Sequence, residues 1–226
     1  MHKTEPFSLG EIFFMPQTAI AENPSFDTAK RQQILDGARQ CFLAQGFDGA
    51  SMNDIVKAAG VSKGTVYAYF PSKEKLFEAL VYHDRRLQAE QIVVAIDDDR
   101  PMAEVLNELG LRMVQRMTSD DSVAQVRMVV AASVKFPEIG RAFFQAGPAF
   151  AIGRVKTYLE TKMAQGLLRR VDAEMAAVQF IDVVSGCQHK PRLFNAQDLF
   201  TKRTPEQVVA AGVDLFLRGL AVESKR

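Results

Sequence analysis

Residues 46–77 read GFDGASMNDIVKAAGVSKGTVYAYFPSKEKLF, and this stretch decides the fold. It predicts two short helices, Ser51–Ala59 and Ser62–Phe70, which are separated by a tight turn at Gly60-Val61. In both segments apolar residues recur at three- and four-residue spacing, as expected for helices that bury one face. Two short helices joined by a tight turn are the signature of a helix-turn-helix.

Local signals predict where these two helices begin and end. Ser51 is a preferred N-cap, and Asp54 three residues later fits a capping box. Gly60 is expected to end the first helix, because glycine readily adopts the left-handed conformation found at helix ends. Ser62 is predicted to cap the second helix, and Pro71 to stop it because proline cannot continue the hydrogen-bond ladder.

Helical patterns also dominate the rest of the chain. A first helix is predicted from an N-cap at Asp27 or Thr28 to a stop at Gly46, and a long helix from Ser72 to about Ile96. Because strand-like alternation between hairpin turns is missing, the sequence predicts an all-α fold. The remaining helices are predicted at 101–118, 122–135, 138–146, 148–165, 173–187 and 205–220, with breaks at 97–101, 119–121, 136–137, 147–148, 166 and 188–204.

Composition excludes several classes of protein. The 226 residues are 47% apolar and 24% charged, and the net charge is +1, values that are ordinary for a globular chain and unlike those of a disordered one. The apolar patch Ile12–Met15 is too short for a secretory signal and follows acidic residues rather than basic ones. No run approaches the ~18 apolar residues of a membrane span, so no membrane partner is expected.

Neither a metal site nor catalytic chemistry is predicted. Cys41 and Cys187 lie far apart without a cysteine or histidine at ligand spacing, which fits a reducing cytoplasm. Cys187 is predicted to be a small buried apolar residue rather than a redox switch. His83 and His189 are not arranged as ligands or catalytic partners, and phosphate loops, dinucleotide fingerprints and nucleophile elbows are missing. We therefore expect that the protein is not an enzyme and that it binds neither a metal ion nor a cofactor.

The second helix of the pair is predicted to recognise DNA. A recognition helix presents a polar N-terminal turn to the base edges and phosphates, while its apolar side locks onto the other helices. Ser62 and the three residues after it supply that turn. Lys63 suits a phosphate or a guanine edge, Gly64 lets the backbones approach closely, and Thr65 suits a base or a thymine methyl group.

Further residues are predicted to hold the phosphate backbone. Tyr67 and Tyr69 offer hydroxyl groups, and Ser51 and Lys75 stand in first turns of helices, where the dipole favours a phosphate or the lysine supplies a charge. Tyr69 and Lys63 are expected on the exposed face. The spacing leaves Tyr67 divided between a DNA contact and a core position.

Several linked motifs of the chain resemble those of a known family. The run from Arg31 to Leu80 is similar to the DNA-binding domain of the TetR/AcrR family of bacterial regulators. The linked features are Gly46-Phe47, Ser51, the stretch 55–60, Val61-Ser62-Lys63-Gly64-Thr65, Tyr67-x-Tyr69-Phe70 and Ser72-Lys73-Glu74-Lys75-Leu76. The stretch 136–144 followed by Gly147-Pro148 is similar to the C-terminal domain of an AefR-like branch of that family.

The resemblance implies an Ω-shaped, all-helical homodimer that binds one operator half-site per subunit and loses DNA when a ligand enters its C-terminal domain. The implied organisation is a flexible arm at 1–26, a helix-turn-helix domain at 27–73, and a ligand-binding and dimerisation domain at 74–226. The predicted effector is a largely apolar small molecule. Candidate pocket residues, each of which also fits a plain core position, are Met113, Met117, Met128, Phe143, Phe144 and Phe180.

The sequence thus predicts a cytoplasmic transcriptional regulator, at the nucleoid when DNA-bound, that represses from a palindromic operator. Its last two long helices are expected to pair across the two-fold axis as a four-helix bundle. Two alternatives stay open at this stage. An all-helical enzyme whose N-terminal helices cap a pocket would lack DNA affinity, and a nonspecific architectural protein would bind unrelated DNA equally well.

Overall fold

The computed structural model describes residues 28–96, 100–199 and 202–222, and within these ranges the chain is helical and contains no strand. The predicted all-α fold is confirmed. The predicted arm at 1–26 and the alternative N-cap at Asp27 lie outside the described residues. The helices are α1 (Thr28–Gly49), α2 (Met52–Ala59), α3 (Lys63–Tyr69), α4 (Lys73–Val93), α5 (Met102–Met117), α6 (Asp120–Ser133), α7 (Pro137–Phe144), α8 (Phe150–Ala164), α9 (Ala173–Leu193) and α10 (Pro205–Gly219).

The predicted caps of the helix-turn-helix are confirmed. Asp54 N–H donates to Ser51 Oγ at 3.2 Å, and both halves of the capping box at the start of α2 are present. Gly60 ends α2 in the left-handed conformation, with φ 63°. Ser62 caps α3, and Ser72 caps α4 by accepting the N–H of Lys75 at 3.2 Å. These caps fix where α2, α3 and α4 begin and where α2 ends.

The first helical segment ends at Gly46 as predicted, and a short second segment follows it within α1. Gly46 has φ 73° and ψ 173°, so the backbone kinks there, but helical structure resumes and continues to Gly49. The Ala50 N–H bonds the Gly46 carbonyl at 3.2 Å. Phe47, just past the kink, is buried and packs against Phe42 and Phe77, with ring centroids 6.0 and 5.0 Å away. This packing gives the short extension a reason to stay helical.

Of the other predicted breaks, one does not occur and one begins later than predicted. The helical structure is not interrupted at Gly147-Pro148, because residues 145–149 form a π-helical turn that connects α7 to α8. A π turn widens the helix, and proline inside a helix removes one N–H donor. The break predicted at 188–204 begins later, because α9 runs through Pro191 to Leu193. Arg127 of α6 binds the carbonyl oxygens of Arg192 and Leu193 at 2.8 and 2.9 Å and satisfies that helix end.

Two apolar cores lie along the molecule, and α4 contributes to both. The N-terminal core contains the inward faces of α1–α3, and Leu76, Phe77 and Leu80 of α4 belong to it. Residues of α6 and α7 also pack into this core. The C-terminal core joins α5, α8, α9 and α10 around Phe180, which is fully buried and 5.2 Å from the ring of Phe216. The helix-turn-helix is therefore connected to the C-terminal half through α1 and α4, which pack against α6 and α7.

A close approach of α1 and α2 positions the helix-turn-helix. A Cβ atom on Gly37 would lie 2.5 Å from the backbone nitrogen of Ala59. Gln33, one turn earlier on α1, donates to the Ala59 carbonyl at 2.7 Å. Because no side chain larger than hydrogen fits between these backbones, Gly37 sets the distance at which α2 crosses α1.

None of the helices in the described ranges has the length and apolar character needed to span a lipid bilayer.

Candidate nucleic-acid interface

The N-terminal turn of α3 is polar and exposed, as a recognition helix requires. Ser62 Oγ accepts the N–H of Thr65 at 3.0 Å and lies 2.7 Å from Thr65 Oγ1. Ser62, Lys63 and Gly64 are exposed, and Thr65 is half-buried. Val66 is fully buried in the N-terminal core and anchors the helix from behind. The backbone of this turn is thus held firmly while its polar side faces solvent.

A surface groove runs between the start of α2 and the outer face of α3. It has a volume of about 360 Å³, and we call it the α2–α3 groove. Ser51 and Lys63, both predicted DNA contacts, lie on it together with Tyr67. The Lys63 Nζ atom is 5.8 Å from the centroid of the Tyr67 ring. The groove also includes Ala50, Met52, Asn53 and Lys73.

Sequence reasoning missed Lys73 and Asn53 of this groove. Lys73 Nζ donates to the carbonyl oxygens of Phe47, Ala50 and Asp48 at 2.8, 3.0 and 3.3 Å. A lysine on the last carbonyls of a helix neutralises the negative end of its dipole. Lys73 therefore ties α4 to the end of α1 and adds a positive charge to the groove. The motif Ser72-Lys73-Glu74-Lys75 contained this lysine, but only its partners on α1 distinguish it from Lys75.

Lys75 is not brought together with the other predicted contacts. Its Nζ atom pairs with Glu78 at 2.7 Å, and this hydrogen bond raises the pKa of Lys75. A second carboxylate, Glu138 of α7, acts in the same direction. Lys75 does not line the α2–α3 groove. Residues at positions i and i+2 of a helix point in different directions, so Lys73 and Lys75 lie on different surfaces of α4.

The two tyrosines of α3 differ in exposure, and only Tyr69 departs from its prediction. Tyr67 is 40% exposed and lines the groove, so its place on the outer face of α3 is resolved. Tyr69 was expected on the exposed face, but it is half-buried and packs against the N-terminal core. Its ring centroid lies 6.4 Å from that of Phe70, the C-cap of α3. Tyr69 turns inward because it stands three residues after the buried Val66 and therefore lies on the same face of α3.

The capping box of α2 places an acidic group beside Ser51. Ser51 Oγ donates to Asp54 Oδ2 at 2.5 Å, and this hydrogen bond lowers the pKa of Asp54. The carboxylate therefore remains ionised at neutral pH, at the positive end of the α2 dipole. Ser51 is exposed and lies on the groove, but a phosphate there would share the helix start with this charge.

The six predicted pocket residues do not line one cavity. Met113 and Phe180 are buried inside the C-terminal core, and Met117 packs against it. Met128 and Phe143 pack against the other, N-terminal core. Phe144 is 50% exposed. Methionine and phenylalanine fill cores as readily as they line pockets, so residue type alone did not separate the two roles.

A different cavity lies where α1 meets α4, α5 and α6. Its volume is about 230 Å³, and we call it the junction cavity. Met128 is the one predicted pocket residue on its wall. Arg39 of α1 crosses the junction and binds Asp84 of α4 through two hydrogen bonds of 2.6 and 3.0 Å. The full lining is Arg39, Phe42, Leu43, Phe77, Leu80, Asp84, Leu87, Gln88, Gln91, Arg116, Asp121, Gln125 and Met128.

The two cysteines occupy different environments. Cys41 is buried in the N-terminal core, and burial raises the pKa of its thiol. Cys187 is exposed, so the prediction that it is a buried apolar residue is wrong. It lies on the outer side of α9, next to Gly186 and Gln188, rather than on the side that carries Val184 into the core. No cluster of potential metal ligands occurs among the residues that the structure describes.

Comparison with known proteins supports this arrangement. Residues 34–80 match the model of bacterial regulatory proteins of the tetR family, and residues 104–220 match the C-terminal domain of AefR-like transcriptional repressors. The HTH-type transcriptional repressor AcnR of Corynebacterium glutamicum is 30% identical over 146 residues, which cover 63% of this chain and 70% of that protein.

Solved structures share this fold. The flavonoid-responsive regulator FrrA is 33% identical, with a TM-score of 0.72, and the match covers 88% of this chain and all of that one. A TetR-family regulator from Mesorhizobium loti has a TM-score of 0.78 at 24% identity, covering 86% and 98% of the two chains, and shows the shared fold.

Proteins of this family regulate transcription, bind operator DNA, dimerise and carry a ligand-binding C-terminal domain. The predictions of a DNA-binding regulator and of a non-enzymatic function are therefore confirmed. The AefR-like model alone covers residues 104–220, about half of the chain, and the tetR model covers the helix-turn-helix. The chain belongs to the TetR family of bacterial transcriptional regulators, with an AefR-like C-terminal domain.

Proposed function

We propose that this chain is a homodimeric repressor that leaves a palindromic operator when a small molecule binds it. The observation that carries the proposal is the α2–α3 groove, which Ser51, Lys63, Tyr67 and Lys73 line together. AcnR is named a repressor and FrrA a flavonoid-responsive regulator, and both names support this reading by analogy. The regulator acts in the bacterial cytoplasm, at the nucleoid when it is bound to DNA.

The N-terminal turn of α3 reads bases in this proposal. Lys63, Gly64 and Thr65 enter the major groove, with Lys63 at a guanine edge or a phosphate and Thr65 at a base edge. Ser62 holds the turn rigid through its bonds to Thr65. Rigid presentation favours specific binding, because the backbone of the turn does not have to be ordered when DNA arrives.

The walls of the groove grip the phosphate backbone. Tyr67 donates its hydroxyl to a phosphate, while Lys73 supplies charge and the exposed Ser51 a hydrogen bond. Tyr69 does not contact DNA in this proposal. It packs against the N-terminal core and sets the angle of α3. Lys75 contributes long-range charge on another surface, because Glu78 already binds it.

The domain organisation is proposed as a helix-turn-helix domain at 27–73 and an effector and dimerisation domain at 74–226, preceded by an arm at 1–26. Two subunits pair through α9 and α10. Leu215 on α10 is 64% exposed and Met175 on α9 is 45% exposed, and burying such side chains in a symmetric bundle is favourable. A two-fold dimer places its recognition helices about one DNA turn apart, ~34 Å.

The test is selection of bound fragments from a pool of genomic DNA at two salt concentrations, with the dimer free of small molecules. We expect a recurrent palindromic site whose affinity falls steeply with salt. If unrelated DNA competed for the protein as well as the selected site does, the protein would be a nonspecific architectural binder. Failure to bind any DNA at low salt would contradict the assignment as a repressor.

A further inference from the structure

Arg85 is a buried cation in the middle of α4. Only 7% of its surface is exposed. Its Nη1 atom donates to Gln88 Oε1 at 2.9 Å and to Ser122 Oγ at 3.0 Å. Its Nη2 atom donates to Gln125 Oε1 at 2.5 Å and to the Ser122 carbonyl at 3.3 Å. The ring of Phe143 covers the guanidinium, with its centroid 4.7 Å away.

Within the described ranges, no carboxylate accepts a hydrogen bond from this cation. All four hydrogen bonds end on neutral oxygen atoms, and the buried Nε atom has no partner within the described ranges. Burial lowers the pKa of Arg85 to about 10, and the nearby charge of Arg116 acts in the same direction. The group is thus still charged at neutral pH. A buried, unpaired charge is unfavourable and marks a place where an anion would be stabilising.

The surroundings of Arg85 are electropositive. Burial and then the charges of Arg85 and Lys190 lower the pKa of His189, which lies on α9. Asp84 is the acidic group that acts on Arg85. Its carboxylate is already engaged by Arg39, with a contact of 2.6 Å. The neighbourhood therefore has positive charge in excess.

Arg85 lies directly behind the wall of the junction cavity. Gln88 and Gln125, the two amides that accept its hydrogen bonds, also line that cavity. Arg116 lines it too. Rotation of the two amides would join the guanidinium to the cavity without moving a helix. A ligand atom in their place would meet Nη1 and Nη2 of Arg85 with Arg116 nearby.

The other walls suit an apolar group. The volume, about 230 Å³, lies below the roughly 300–1,000 Å³ of sites for drug-sized ligands, so the ligand is small. Two acidic residues also line the cavity, but Asp84 is paired with Arg39 and Asp121 is exposed. The apolar walls are Phe42, Leu43, Phe77, Leu80, Leu87 and Met128.

We propose that the junction cavity binds a small carboxylate with an apolar body, and that its carboxylate group displaces Gln88 and Gln125 to pair with Arg85. The inference rests on the proposed function and deepens it by naming the chemical class of the effector. Guanidinium and carboxylate groups form paired, charge-assisted hydrogen bonds, which give such a site both affinity and orientation.

The position of the cavity also explains release of DNA. Gln125 Nε2 lies 3.4 Å from Asp84 Oδ2, and Asp84 is the residue that binds Arg39 of α1. A bound carboxylate repels Asp84 and removes the Gln125 contact, which weakens the Arg39–Asp84 bridge. Because α1 carries α2 through the close contact at Gly37, α3 then leaves its DNA-binding position. A ligand that prefers this second arrangement shifts the population towards it.

The test compares carboxylates with their neutral primary amides on the native dimer, without DNA. The probes are benzoate, 1-naphthoate and octanoate, each titrated calorimetrically against benzamide, 1-naphthamide and octanamide. We expect at least one acid to bind about tenfold or more tightly than its amide, because a charged hydrogen-bond partner is lost in the amide. Arg85→Gln should abolish that preference. Arg86→Gln, the neighbouring arginine paired with Glu90 on the surface, should retain it.

The proposal is overturned if no acid of the set binds more tightly than its amide, or if Arg85→Gln keeps the preference in full. Either result is read without DNA, so it leaves the repressor assignment untouched. Conversely, the native dimer could prefer carboxylates and yet select no operator from genomic DNA. That result would contradict the repressor assignment and leave the carboxylate site supported. The preferred acid is then added to the dimer–operator complex, where we expect at least a tenfold loss of DNA affinity that Arg85→Gln prevents. Operator affinity that is unchanged by the acid would overturn the release mechanism.

Discussion

At the scale of single residues, Lys63 and Lys75 provide a matched pair for the DNA-binding surface. Lys63 is exposed on the α2–α3 groove, whereas Lys75 is held by Glu78 on another surface. We expect Lys63→Ala to weaken operator binding by about 1–3 kcal/mol, or to reduce the salt slope by about one if its partner is a phosphate. Lys75→Ala should change affinity much less. Fluorescence anisotropy at several salt concentrations measures both, and equal losses would contradict the assignment.

Lys63 was predictable from the sequence and Lys73 was not, for a physical reason. Lys63 follows an N-cap and opens a short helix, so its exposure follows from local pattern alone. Lys73 acquires its role from the carbonyl oxygens of Phe47 and Ala50, more than twenty residues earlier. Sequence periodicity places a residue on a face of its own helix, but it contains no information about which other helix meets that face.

Gly37 is predicted to be intolerant of even one extra carbon atom. A Cβ atom there would overlap the Ala59 backbone at 2.5 Å, so Gly37→Ala must push α2 away from α1. We expect a loss of about 1–3 kcal/mol of unfolding free energy, as for other overpacked sites, and weaker operator binding. In contrast, Gly153→Ala in α8 meets no atom within 4 Å and should stabilise by roughly 0.4–1 kcal/mol. Chemical denaturation measures both, and a neutral Gly37→Ala would disprove the tight crossing.

At the scale of helices, the N-caps separate stability from DNA binding. Ser51 and Ser72 each accept one backbone N–H at 3.2 Å, but Ser51 alone of the two lies on the α2–α3 groove. Ser51→Ala and Ser72→Ala should each cost about 0.5–2 kcal/mol of stability through the lost cap. We expect Ser51→Ala to lower operator affinity further than Ser72→Ala. Thermal melts paired with binding curves test this, and identical affinities would remove Ser51 from the interface.

Helix starts were better predicted than helix ends. A cap is a contact between residues three apart, so Ser51, Ser62 and Ser72 are readable from sequence. The end of α9 depends instead on Arg127, which reaches from α6 across 65 residues to bind the Arg192 carbonyl. Such a distant partner allows a helix to continue through Pro191, where local rules predict a stop.

At the scale of the molecule, the cavity that matters was not predictable because it has no local sequence signature. Its walls come from α1, α4, α5 and α6, and they combine apolar with charged side chains. The pocket candidates were methionine and phenylalanine residues of the C-terminal half, because these types suit apolar pockets, but all except Phe144 lie in or pack against the two cores. Fold and DNA-binding helix followed from local motifs, whereas the cavity follows from the way α4 joins both cores.

The dimer is the largest-scale feature that the proposal requires, and α10 provides its test. Val208, Ala211 and Leu215 recur at helical spacing on the side of α10 that does not enter the core, and Leu215 is 64% exposed. Such a stripe is expected to face its symmetry mate, where a new charge in both subunits would be buried and would repel its copy.

We expect Leu215→Glu to yield monomers and, because a single subunit holds one half-site, to lose most of its operator affinity. Leu167→Glu, which alters a leucine of similar exposure between α8 and α9, should remain dimeric. Sedimentation equilibrium distinguishes the two, and a Leu215→Glu protein that stays dimeric would move the interface away from this face of α10.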